Sequence, residues 1–122
     1  MMATIGTLFK VSDNSGIKNI LAIQNLSRKS LKFKIGDLIV GVIKDINIKV
    51  KHIYSNIVYG VIIRLKKNSI IKNIYNIHFN DNTVVLVDKN LNPLGSRIFG
   101  SVPKYLKEKN YLKLSSLTID LV

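Results

Sequence analysis

The chain has 122 residues, enough for one domain with a packed core, and carries 19 Lys and Arg against 7 Asp and Glu, a formal net charge of +12 with a sequence pI near 10.0. With 47% hydrophobic residues it reads as a folded basic protein and not a disordered polycation, so its charge belongs on a packed surface that calls for a polyanion. The absence of cysteine excludes a disulfide framework, a thiolate nucleophile and any cysteine-based zinc site.

The opening Met1-Met2-Ala3-Thr4-Ile5-Gly6 has neither the basic start and apolar core of a secretion signal nor the arginine-rich pattern of a transit peptide, so action is expected in the compartment of synthesis. Short β-branched runs bounded by Gly, Asn and Asp then predict strands over Thr7 to Val11, Ile17 to Gln24, Leu38 to Asp45, Ile57 to Leu65 and Thr83 to Val87, the signature of an antiparallel barrel or sandwich. Asp13-Asn14-Ser15-Gly16 and Ile35-Gly36-Asp37 punctuate them. The first is better read as a turn using glycine for positive φ and Asx side chains for local hydrogen bonds than as a catalytic or metal loop. Leu38 to Ile43 and Gly60 to Ile63 are almost continuously apolar, which predicts cover on both strand faces, with the C-terminal segment as the cover. Gly41 and Gly60 inside these runs suit a tight bend or a close backbone approach.

Between the third and fourth strands, Ile46 to Ile53 alternates apolar with polar or basic residues and predicts a projecting hairpin arm with a positive face. The longest apolar stretch, Ile57 to Ile63, is interrupted by Gly60 and closed by Arg64, far short of the roughly 20 residues of a membrane span, and no membrane partner is expected. Lys49, Lys51, Lys66 and Lys67 could each be a solubilising charge, but as a set they are better explained by phosphate. Ser101 ahead of Val102-Pro103-Lys104-Tyr105 predicts a short helix with Ser as N-cap and Pro in its first turn.

Catalysis finds little support. His52 and His78 are the two histidines, and nothing in the sequence brings them together as an acid and base pair. The carboxylates are scattered with no pair at ligand spacing, so neither a metal site nor a cofactor is expected. Phe79 and Phe99, each beside apolar neighbours, are read as core. Few aromatics and no Trp count against a free single-strand-binding barrel, the alternative function, which would want exposed rings for bases to stack on.

Four ordered blocks carry a resemblance: Val11-Ser12-Asp13-Asn14-Ser15-Gly16, Ile35-Gly36-Asp37-Leu38-Ile39-Val40, Val61-Ile62-Ile63-Arg64-Leu65-Lys66-Lys67, and Gly95-Ser96-Arg97-Ile98-Phe99-Gly100. In order and spacing the chain resembles the ribosomal protein L-fourteen family of the large subunit, bacterial or organellar type, and the likeness runs end to end, to Lys113-Leu114-Ser115-Ser116-Leu117 and Val122.

The resemblance implies a mainly β single domain over residues 1–122. Its five-stranded antiparallel β-barrel would fill about 1–90, with a C-terminal extension of loops and short helices over about 91–122. It implies a non-enzymatic constituent of the large subunit that binds large-subunit rRNA, touches small-subunit rRNA at an intersubunit bridge, neighbours ribosomal protein L-nineteen and can meet a ribosome silencing factor.

The expected rRNA-binding set is Asn14, Arg28, Lys29, Lys49, Lys51, Arg64, Lys66, Lys67 and Lys104. Ser96, Arg97 and Lys113 match the bridge and factor surface. Arg97 is the sharpest candidate, because an arginine in a lysine-rich chain offers phosphate a planar bidentate fork that lysine cannot.

Several positions depart from the family. Asn25-Leu26-Ser27 shortens a glycine loop, Ser101 stands for a Pro, Ile70-Ile71 replaces a basic pair, and His78 and Asn80 stand for Arg and Asp. Fewer basic contacts after Lys67 are expected. The bias toward Ile, Lys and Asn reflects AT-rich codons and suggests a ribosome in a plastid or apicoplast, with the bacterial cytoplasm as alternative.

Overall fold

In the computed structural model of the chain, the described residues are 6–27, 33–46, 56–65 and 81–100, together with the backbone of two short strands at 69–71 and 75–77. Seven strands occur among them: β1 (Leu8–Val11), β2 (Ile17–Asn25), β3 (Leu38–Ile46), β4 (Ile57–Arg64), β5 (Ser69–Ile71), β6 (Tyr75–Ile77) and β7 (Thr83–Val87). No helix is present among the described residues. The arm expected over Ile46 to Ile53, apart from Ile46 at the end of β3, and the helix expected after Ser101 lie outside them.

Strands β1, β2, β3, β4 and β7 close into a barrel in that order, and β5 with β6 forms a separate antiparallel pair. The five expected strands are the five of the barrel, each within a residue or so of its predicted ends. Four of the barrel's pairings are antiparallel, while the closing pair, β1 with β7, is parallel, Lys10 facing Thr83 and Val11 facing Val84. An odd number of strands alternating in direction cannot close otherwise, since the fifth runs the same way as the first. The small β5–β6 pair was not expected from the sequence, its three-residue strands being too short for a period to show.

Alternation along the strands sends Phe9, Ile20, Ile39, Val58, Ile62, Val84 and Leu86 inward, where they are buried. Phe33 and Ile35, from the loop before β3, join this core, and the Phe33 ring meets Phe9 edge to face at 5.7 Å. Burial is continuous at Val61, Ile62 and Ile63, as expected for Gly60 to Ile63, and also along all of β7; over Leu38 to Ile43, where the same cover was expected, Leu38, Val42 and Ile43 are only partly buried. Residues 101–122, expected to supply much of that cover, lie outside the described residues.

The two strand glycines differ. A Cβ at Gly41 would stand 2.7 Å from Cδ1 of Ile20, so the missing side chain is what lets Ile20 fill the interior. At Gly60 a Cβ would come no closer than 3.4 Å to Val84, an ordinary contact.

The Ile35-Gly36-Asp37 turn is held from several sides. Gly36 has φ of 90°, its N–H donates to the Ile62 carbonyl (2.8 Å), and Ile62 N–H donates to the Asp37 carbonyl (3.0 Å). The Asp37 carboxylate, buried, accepts from Asn25 Nδ2 (3.0 Å) and Lys34 N–H (2.9 Å), which removes the cost of burying it unpartnered.

Candidate nucleic-acid interface

The Asp13-Asn14-Ser15-Gly16 turn after β1 organises the surface loop that follows β7. Gly16 adopts φ of 95°, as a turn there requires. Asp13 is buried, and its carboxylate accepts from Ser15 N–H and from Leu86 N–H on β7, both at 3.0 Å. Burial outweighs these hydrogen bonds and raises its pKa above the ordinary 3.8.

A carboxyl whose folded pKa is raised adds most stability below its unfolded pKa, and that contribution is lost as pH rises through the folded value. Carbon-13 NMR titration of Asp13 is therefore expected to show a midpoint above 3.8. A midpoint at or below 3.8 contradicts the dominance of burial.

Asn14, next along, reaches across to the loop at 95–97. Its Oδ1 accepts from Ser96 N–H (2.8 Å) and Arg97 N–H (3.1 Å), and its Nδ2 donates to Ser96 Oγ (2.9 Å). Its backbone N–H donates to the Arg97 carbonyl at 3.3 Å. Gly95 belongs to the same fit, because a Cβ there would stand 2.6 Å from Asn14 Oδ1. Asn14, expected from the sequence to meet rRNA, is thus placed as the strut under Ser96 and Arg97.

The far side of the loop is fixed independently. Asp13 bridges Ile98, Phe99 N–H donates to the Ser12 carbonyl (2.7 Å), and Ser12 Oγ donates to the Phe99 carbonyl (2.5 Å). Over this seam lies Arg64 from the end of β4, its side chain only 11% exposed. Nε donates to Asp81 Oδ1 (3.2 Å), Nη2 to Ser12 Oγ (2.9 Å) and Nη1 to the Phe99 carbonyl (3.3 Å). Gly100, at φ of 81°, leaves the room the guanidinium occupies, which a Cβ would invade. Arg64 was expected to face rRNA, and the structure places its fork inside the chain.

Ile98 points in and is buried while Phe99 is half exposed. The reading of Phe99 as core is therefore corrected: the bridge to Asp13 fixes alternate residues to opposite sides, and Ile98 takes the inner one. Ser96 and Arg97 are exposed, so the loop offers its charged tip outward on a doubly anchored backbone.

The electrostatics follow from where the carboxylates go. Asp13, Asp37 and Asp81 accept as described, and Asp88 accepts from the N–H groups of Asn90 (2.8 Å) and Asn92 (2.9 Å) within its own turn. Lys10, Lys34, Lys44, Lys89 and Arg97 are exposed. Lys18 meets Asp45 at 3.7 Å with both side chains largely in solvent, a pair that contributes little. Asp13 and Asp37 are buried while the described lysines stay outside, so the surface keeps a positive excess.

Of the residues expected to meet RNA or the bridge, Asn14, Arg64, Ser96 and Arg97 are described. Arg28, Lys29, Lys49, Lys51, Lys66, Lys67, Lys104 and Lys113 lie outside the described residues, as do His52, His78 and Phe79. Among the described residues no group of three or more His, Cys, Asp or Glu could hold a metal ion.

Comparison with known proteins places this geometry. The profile of the family described as "Ribosomal protein L14p/L23e" matches residues 2–122. The chain is 66% identical over 121 residues to "Large ribosomal subunit protein uL14c" of Eimeria tenella, covering 99% of this chain and 100% of that protein. It is 50% identical over 121 residues to the protein of the same name from Toxoplasma gondii, with the same coverage.

Proposed function

Because the chain belongs to the ribosomal protein L14p/L23e family, and so is a structural constituent of the large ribosomal subunit, we propose that it binds large-subunit rRNA through its outward lysines and presents the Ser96–Arg97 loop to small-subunit rRNA at an intersubunit bridge. Its uL14c relatives from two apicomplexans make it a plastid-type ribosomal protein of the apicoplast.

The observation that carries the bridge reading is the doubly anchored loop. An arginine on a fixed backbone loses less freedom when it meets phosphate, so its bidentate fork gains more from each contact. The remaining cations of the proposed rRNA face are Arg28, Lys29, Lys49, Lys51, Lys66, Lys67 and Lys104, and Lys113 joins Ser96 and Arg97 at the bridge. Large-subunit rRNA would be recognised by shape and backbone more than by sequence. Protein L-nineteen as a neighbour and a silencing factor on the Arg97 surface complete the proposed set of partners.

Affinity of the isolated protein for a large-subunit rRNA fragment is expected to fall with a log-log salt slope of several units, about 0.7 to 0.9 for each phosphate neutralised. A flat response in filter binding between low and moderate salt refutes a phosphate-driven interface. A free single-strand-binding module would leave ribosomes in a high-salt wash and bind short oligonucleotides equally well; the ribosomal constituent is expected to sediment with the large subunit.

A further inference from the structure

Among the described residues the barrel carries a partly exposed apolar row on its outer wall. Strand register places Leu8 opposite Leu21, Leu21 opposite Val42, and Val42 opposite Ile57. These four therefore form one continuous line across β1, β2, β3 and β4. All lie on the side of the sheet opposite the buried Phe9, Ile20 and Val58. Leu8 and Ile57 at the ends are 53% and 52% exposed, while Leu21 and Val42 between them are partly exposed. Ile23, two residues beyond Leu21 and at the bulge between Ala22 and Gln24, lies outward beside the row, 40% exposed.

Single exposed apolar residues need no explanation, but a contiguous line of them on four neighbouring strands marks an interaction surface. Three strand spacings make the row about 14 Å long, the length of a helix of roughly ten residues.

The charges beside the row select its occupant. Lys10 follows Leu8 on the same face of β1, and Lys18 and Lys44 flank the neighbouring positions of β2 and β3, all exposed. Asp45, the one carboxylate beside them among the described residues, pairs with Lys18, which leaves Lys10 and Lys44. RNA does not fit, since a row of aliphatic side chains offers phosphate and base edges no donor or acceptor. A second copy does not fit either, because its matching row brings lysines and, among the described residues, no carboxylate beyond the Asp45 already paired with Lys18.

We infer that this row is a docking surface for a protein segment with an apolar face bordered along one edge by Asp or Glu, whose carboxylates meet Lys10 and Lys44. The surface is separate from the bridge loop and does not depend on the role proposed for Arg97.

The absence of cysteine makes the test clean. The full chain carrying Ile23→Cys is labelled with a benzophenone maleimide, assembled into large subunits and irradiated, and the cross-linked peptide is mapped. The expected product joins position 23 to another protein of the particle, at a segment with carboxylates along one edge of an apolar face. Its yield is expected to fall by about tenfold with Leu8→Asp and at least about threefold with Lys10→Glu and Lys44→Glu together. Exchanging the mapped carboxylate for Lys should restore the yield of the Lys→Glu protein. The Lys→Glu pair replaces exposed side chains, so it reports even if Leu8→Asp fails to fold. Cross-links to rRNA alone, to this same chain, or to nothing overturn the inference, and so does a yield that ignores the lysine reversal.

Discussion

Arg64→Ala is expected to lower the unfolding free energy by about 2 to 4 kcal/mol, which for a domain of this size moves the melting temperature down by roughly 10 °C. Three donors of one guanidinium hold Asp81, Ser12 and the Phe99 carbonyl, and hydrogen bonds to a charged group contribute about 1.5 to 3 kcal/mol each before desolvation is counted. The Asp81 side chain is 38% exposed, so water recovers part of that loss and the total stays below a simple sum. Arg64→Lys should fall between the two, because a single ammonium cannot reach in three fixed directions. Urea unfolding of the three proteins checks the order. If Arg64→Ala melts within a degree or two of the parent while rRNA affinity drops severalfold, Arg64 is an RNA ligand and the lock described above is wrong.

Charge reversal at Arg97 should have the opposite profile. Arg97→Glu replaces an exposed side chain, and the melting temperature is expected to stay within about 2 °C of the parent, since surface substitutions change stability by roughly half a kcal/mol or less. Subunit joining, read by sedimentation of reassociated subunits, is expected to weaken by about tenfold or more as a charge-assisted contact to phosphate becomes a repulsive one.

Asn14→Ala should move joining in the same direction by a smaller factor, because it frees the backbone under Arg97 without removing the charge. Asn14→Asp keeps an acceptor for Ser96 and Arg97 N–H and is expected to recover part of the loss. Normal joining by Arg97→Glu together with a large fall in melting temperature would make the residue structural.

These two arginines look alike in the sequence. Each sits in a motif block, each is among the few arginines of a lysine-rich chain, and each was expected to face nucleic acid. What separates them is the register of β4 against β7, where a shift between Ile62 and Arg64 carries Arg64 over the seam at Ser12 and Phe99. The flanking glycines were the available signal. Gly95 and Gly100 bracket Ser96 to Phe99, and each leaves room for a polar group from elsewhere, Asn14 at one and Arg64 at the other. A glycine at such a spot reports that something approaches, but not what.

The amino-acid sequence by itself determined the five barrel strands, the turns at Gly16 and Gly36, the excess of positive charge and the family blocks. Each of these is written in short windows: a two-residue period, a turn residue, a net count, a run of neighbours. Tertiary structure alone decided which charges reach the surface. Asn14 meets Ser96 across 82 positions of chain and Arg64 meets Ser12 across 52, and separations of that kind leave no trace in a local pattern. Only closure of the barrel brings those groups within hydrogen-bond reach, setting Arg64 against partners of its own chain and burying the carboxylates of Asp13 and Asp37 while Arg97 is held out to solvent.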